Sequence, residues 1–232
     1  MAKLTYLQLT NRVLSLIDDG ELSSGVSSAA NNSKAKIISN FINQAQNKLF
    51  TDEDWYSLYA TRTFATVADT TEYAIPSDFG RNINLINTTS NWLLQEDFIR
   101  SIDASDPDAD TTGAPRWYTI QADNYRLYPI PDGAYTIRER YWKIPTTLSA
   151  DGDQSDLPIE CENAIIWYTV AKMKRYLGIF NEVDRYELDF EKELLNAKRK
   201  NTKRINQMLQ FQTSTLDTRF PLHPPTVTTI FT

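Results

Sequence analysis

The sequence predicts an α+β protein: a four-helix bundle with an inserted antiparallel β domain and an extended C-terminal arm. Three observations predict it. Apolar residues recur at helical spacing over residues 1–54 and again over 158–212. Between them, over 55–157, short β-branched and aromatic runs are broken by Pro, Gly, Asn and Asp. Beyond 212, Pro221, Pro224 and Pro225 precede Thr226-Val227-Thr228-Thr229-Ile230-Phe231, which rules out a continuous helix and leaves 213–232 as the arm.

The first helix carries Tyr6, Leu9, Val13, Leu16 and Ile17 on one face. Thr5 and Gln8 stand at the two positions of a capping box, and Asp19-Gly20 supplies a stop. A Ser-, Ala- and Asn-rich stretch from Glu21 to Asn32 reads as a loop. The second helix starts at Ser33, with Ile37, Phe41, Ala45 and Leu49 in one line and Ile38 and Ile42 beside it.

In the β region the clearest strand is Tyr135 to Trp142. Tyr135, Ile137 and Tyr141 would share one side and Thr136, Arg138 and Arg140 the other. Trp117–Ile120 and Tyr125–Tyr128 flank Ala122-Asp123-Asn124 as a hairpin, and Pro129-Ile130-Pro131-Asp132-Gly133 makes the next turn. Helices resume after Pro158, with Cys161, Ala164, Ile165, Tyr168 and Ala171 on one face and Leu177-Gly178 at the end. Asn181 is placed to cap a last helix whose face is Val183, Tyr186, Phe190, Leu194 and Ala197, continuing through Ile205, Met208 and Leu209.

Composition narrows the chemistry. The 232 residues carry a net charge of -6, so the chain does not coat nucleic acid electrostatically. A negative wall instead leaves a phosphate backbone free to slide past. One Cys and one His exclude a disulfide framework and a Cys/His zinc site, and seven Gly provide no phosphate-binding loop. No run approaches the ~20 apolar residues of a membrane span, and the N-terminus has no signal-like core, so an intracellular soluble protein is expected. His223 lies in the Pro-rich arm and Cys161 on an apolar helix face, poor places for a rigidly held base or nucleophile.

Two acidic loops resemble calcium loops only superficially. Asp151 to Glu162 has Asp156 where the sharp turn needs Gly, and Asp106, Asp108 and Asp110 lead to Trp117 in the twelfth place. Solvated loops are expected at both. A glycosidase would need one defined carboxylate pair, and nothing among 30 acidic residues selects it. No catalytic residue, metal ligand or cofactor site is therefore expected. The basic run Lys198, Arg199, Lys200, Lys203 and Arg204 has two readings: contact with DNA or an acidic partner, or a solvated helix face balanced by Glu187, Asp189, Glu191 and Glu193.

Several short motifs occur in a recognisable order. Tyr73-Ala74-Ile75-Pro76-Ser77-Asp78-Phe79 precedes Gly113-Ala114-Pro115-Arg116-Trp117-Tyr118. Tyr125-Arg126-Leu127-Tyr128-Pro129-Ile130-Pro131-Asp132 follows, then Tyr141-Trp142-Lys143-Ile144-Pro145 and a helix opened by Leu157-Pro158. Over roughly Asn40 to Asn181 this order resembles the head-to-tail adaptor proteins of tailed bacteriophages, including the tail tubular type of short-tailed phages.

The resemblance implies a non-enzymatic virion protein at the head–tail junction, made in the host cytoplasm. It implies a ring of twelve copies that binds the portal, meets a downstream tail or nozzle protein and continues the channel for double-stranded DNA. The Tyr- and Trp-rich insertion suits subunit interfaces, although core packing explains many of the same residues. Phe211, Leu216, Phe220, Leu222, Ile230 and Phe231 make the arm too apolar for a free end. It is expected to order against the portal or a neighbouring subunit, or to fold back on its own β domain. The competing function is a carbohydrate- or receptor-binding module of a phage tail, suggested by the aromatic β region; a cell-wall hydrolase is the third.

Overall fold

The computed structural model describes residues 2–26 and 33–214, with backbone alone for 33 and 206–214. Among these residues, five α-helices and a seven-stranded mixed sheet make an α+β fold. The helices are α1 (Tyr6–Leu16), α2 (Ser33–Asp52), α3 (Ile99–Ser105), α4 (Glu162–Tyr176) and α5 (Val183–Ser214). The strands are β1 (Tyr59–Ala65), β2 (Glu72–Ala74), β3 (Phe79–Asn87), β4 (Trp92–Glu96), β5 (Trp117–Gln121), β6 (Asn124–Tyr128) and β7 (Thr136–Lys143).

Local sequence explains the helix starts. Thr5 Oγ1 accepts from the Gln8 amide at 3.3 Å while Gln8 Oε1 accepts from the Thr5 amide at 3.0 Å, so the predicted capping box forms. Asp18, with φ of 58°, turns the chain out of α1 just before the expected Asp19-Gly20 stop. Gly178, with φ of 76°, follows α4, where its lack of a Cβ makes the left-handed conformation cheap. Asn181 does not cap the last helix: it sits inside a short 3-10 turn, Phe180–Glu182, from which α5 continues.

Tyr6, Leu9, Val13 and Leu14 of α1 meet Ile38, Ile42, Ala45 and Leu49 of α2 in one buried cluster. Cys161, Ala164, Ile165, Val170 and Met173 complete it from the α4 side. The true core line of α2 is thus Ile38–Ile42–Ala45–Leu49, and Ile37 and Phe41 are only partly buried. Each fully buried Leu or Ile contributes about 1.5–3 kcal/mol. α4 is the hub, with α1, α2 and α5 all packed on it. A regular four-helix bundle is therefore not what forms. α1 spans only 11 residues, less than half the length of α5, and a fifth helix, α3, lies between two strands of the sheet.

The sheet order is β1-β7-β3-β4-β5-β6-β2. The predicted hairpin is β5–β6, closed by Ala122 and Asp123 with Gln121 opposite Asn124. One expectation fails: β4 and β5 run parallel. The 20 residues 97–116, including α3, return the chain to the same end before β5 starts, and a parallel pair requires such a crossover.

The sheet curls on itself. Flat, its edge strands would lie about 29 Å apart at ~4.8 Å per strand step. Yet Arg62 Nη2 on β1 donates to the Ala74 carbonyl on β2 at 2.9 Å. The Phe64 and Tyr73 rings pack at a tilt across the same gap with centroids 5.4 Å apart. Leu85, Leu94, Tyr118, Tyr125, Leu127 and Ile137 fill the concave side.

The two layers meet where β7 runs toward α2. Gly80, at an irregular step of β3, has Phe50 and the Trp142 carbonyl against the place where a Cβ would stand. The chain then crosses the helices as a strap. Asn43 Nδ2 donates to the Leu148 carbonyl at 3.1 Å and its Oδ1 accepts from the Leu148 amide at 2.9 Å. Ser155 Oγ donates to Gln46 Oε1 at 2.7 Å, and Leu148 and Leu157 sit in the helical cluster.

Candidate interaction surfaces

The basic run lies on α5 where that helix passes the corner between α2 and β1. Its anchor is Asn201, 2% exposed, which continues the buried face of Ala197 one turn on. Asn201 Nδ2 donates to the Asp54 carbonyl at 2.6 Å and its Oδ1 accepts from the Tyr56 amide at 3.0 Å. One side chain thus satisfies a donor and an acceptor of an irregular segment that would otherwise be buried unpaired.

Arg204 completes the clamp. Its guanidinium lies over the Tyr56 ring, 4.6 Å from the centroid, donates to the Tyr56 hydroxyl, and pairs with Glu160 at 2.7 Å. Lys198 reaches the Asp52 carbonyl at 3.4 Å and Glu53 at 3.7 Å. The five basic residues therefore divide. Lys198 and Arg204 hold α5 to the body, and Arg199, Lys200 and Lys203 point to solvent with no ion pair among the described residues. Lys200 and Arg12 line an open groove of about 880 Å³ between α1, α4 and α5, whose carboxylates include Glu160, Glu162 and Glu193.

Inside the curled sheet lies a buried polar set that the sequence reading missed. Glu139, fully buried, accepts from Arg62 Nε at 2.9 Å and from the Tyr125 hydroxyl at 2.6 Å. Burial and the Glu139 hydrogen bond push the Tyr125 phenol well above its ordinary value. Burial, with the Glu96 charge beside it, does the same to Tyr118. Tyr141 is pushed up to about 12 by burial and its hydrogen bond to Asp78. The signal was the alternation itself: Glu139 stands between Ile137 and Tyr141 on the inward face of β7. Glu139, Tyr118 and Tyr125 are held in the packed interior of the curl, whereas the hydroxyls of Tyr118 and Tyr141 bond outward to the exposed Glu96 and Asp78.

The carboxylates of the acidic loops are taken up by backbone amides, those of Asp106 and Asp153 by their own loops and that of Asp151 by the segment after α1. Asp106 accepts from the Asp110 and Thr111 amides, Asp153 from the Ser149 and Ala150 amides, and Asp151 from the Gly25 and Val26 amides. These bonds hold all three carboxyls below the usual range. Among the described residues, no group of three His, Cys, Asp or Glu side chains could hold a metal ion. Cys161 is fully buried, and burial followed by the nearby Glu160 charge pushes its thiol up, which makes it a poor nucleophile.

Most of the large apolar side chains that reach solvent fall in two regions, with Val67, Ile83 and Ile144 elsewhere. Leu93, Phe98 and Ile120 lie on and beside β4 and β5, and Phe98 is 84% exposed. Tyr176, Phe180, Leu188 and Leu195 lie at the end of α4 and along α5. Phe211 falls in the last turns of α5, whereas Leu216, Phe220, Leu222, His223, Ile230 and Phe231 lie outside the described residues. No helix among the described residues is long and apolar enough to cross a membrane.

A search of curated proteins finds no match. The SU10 adaptor protein family model matches residues 4–218, which take in every helix and strand of both layers. The chain belongs to the SU10 adaptor protein family, the non-enzymatic structural adaptors of phages.

Proposed function

We propose that this adaptor acts as the ring-shaped joint between portal and tail, with twelve copies surrounding a channel for double-stranded DNA. The observation that carries the reading is the family match over residues 4–218. Three features support it. The net charge of -6 suits a channel wall that DNA must slide along. Exposed Phe98, Leu93 and Ile120 provide apolar anchors of the kind that subunit contacts bury. Buried Glu139 and Asn201 organise the body around themselves, leaving the surface to carry the function.

Within this reading the arm, with Leu216, Phe220, Leu222, Ile230 and Phe231 following Phe211, is the element that engages the portal or the neighbouring subunit. The solvent-facing Arg199, Lys200 and Lys203 are the members of the basic run available to DNA or to an acidic partner, because Lys198 and Arg204 are held by the body.

Native mass spectrometry of the chain alone and mixed with the portal of its phage tests the proposal. The expected result is a portal complex carrying about twelve copies, lost when 213–232 is removed. No binding to that portal would overturn it and return attention to glycan binding by the aromatic sheet.

A further inference from the structure

The outer face of α5 is self-complementary. At ~100° per residue, Asp184, Leu188, Glu191, Lys192, Leu195 and Arg199 form one stripe, opposite the buried line of Tyr186, Phe190 and Ala197. Leu188 is 66% exposed and Leu195 50%. Among the described residues, no ion pair takes up the four charged members, Asp184, Glu191, Lys192 and Arg199.

We propose that the free protein pairs with a second copy of itself through this stripe, with the two α5 helices antiparallel. A two-fold axis between Glu191 and Lys192 sets Leu188 against Leu195 of the partner copy, Asp184 against Arg199, and Glu191 against Lys192, each twice. Two leucine contacts would thus be flanked by four opposite-charge pairs over ~22 Å of helix. Lys198, opposite Arg185 in this arrangement, already has its ammonium beside Glu53. A parallel, in-register pairing would instead set Asp184 against Asp184 and Arg199 against Arg199. Charge pattern therefore selects the antiparallel partner.

Such a contact is isologous and closes at two copies, so it differs from any head-to-tail ring contact and stands whether or not the ring reading holds. It is short and solvent-rimmed, so a weak dimer is expected, populated at roughly submillimolar to millimolar protein.

Sedimentation equilibrium of the full chain, with D184R, R199D and the D184R/R199D double variant, tests it. Each single swap should weaken the dimer roughly fivefold to tenfold, and the double swap should restore it. Oxidative cross-linking supplies the orientation. Leu188→Cys with Leu195→Cys together should give a disulfide dimer and Leu188→Cys alone should not, while Cys161 stays buried in both. A chain that is monomeric throughout, because its own C-terminal residues or nothing covers the stripe, would overturn the proposal. So would a dimer indifferent to the swaps, or a cross-link from Leu188→Cys alone.

Discussion

Arg62 and Ala74 stand on the two opposite edges of the seven-stranded sheet, yet the Arg62 guanidinium donates to the Ala74 carbonyl at 2.9 Å. The same side chain holds Glu139 from its Nε at 2.9 Å, so one residue ties the closing edge to the buried carboxylate. Glu139 in turn reaches Tyr125 on β6, which is separated from β7 by three intervening strands. These bonds span the concave side and hold the curl that leaves the two edge strands facing each other.

Removing the Tyr125 hydroxyl should expose how much this set contributes. Tyr125→Phe leaves a buried carboxylate oxygen without its donor and should cost about 1–3 kcal/mol in denaturant unfolding. A Tyr125→Phe protein as stable as the parent would show that the curl does not depend on that bond.

Stability should also fall at alkaline pH. Tyr118, Tyr125 and Tyr141 all have phenols raised above the ordinary value of 10.0. The folded state keeps these protons after the unfolded chain has released them. Their contribution is therefore full below about pH 10 and is lost as pH rises beyond it, through about 12 for Tyr141. Urea midpoints measured from pH 8 to 11 should be level to about pH 10 and then decline.

Gly80→Ala should destabilise by about 1–3 kcal/mol, seen as a lowered Tm. The new Cβ would stand 2.8 Å from the Trp142 carbonyl oxygen. Shortening Phe50 to Leu in the same protein relieves only the side-chain half of the clash, so the double variant should recover little.

At the α5 clamp, Asn201→Leu should cost about 2–4 kcal/mol, because it leaves the Tyr56 amide and the Asp54 carbonyl without partners. Hydrogen exchange should rise at Tyr56 before it rises in the sheet interior.

The opposite sign is expected at the β5–β6 turn. Ala122 holds φ at 50°, where a Cβ is unfavourable, so Ala122→Gly should stabilise by about 0.5–1 kcal/mol in thermal unfolding.

Local patterns made much of this protein legible. The capping box at Thr5 and Gln8, the apolar faces of α1, α2 and α4, the β5–β6 hairpin and the helix end at Gly178 all rest on contacts within a few residues. Short-range geometry is what periodicity and turn residues report. The order of the aromatic and proline motifs along the chain likewise carries the likeness to phage adaptors.

Only the tertiary structure decided the rest. The parallel pairing of β4 and β5 depends on a 20-residue excursion through α3, and the curl depends on residues far apart in sequence. The basic run could not be divided from its spacing, because Lys198 and Arg204 are neutralised by Glu53 and Glu160 from other elements. The pairing of Glu139 rests on the fold in the same way: its partners, Arg62 and Tyr125, come from two other strands. A charge in a sequence states what a residue can pair with, and the fold determines whether that partner is close enough for the pair to outweigh water.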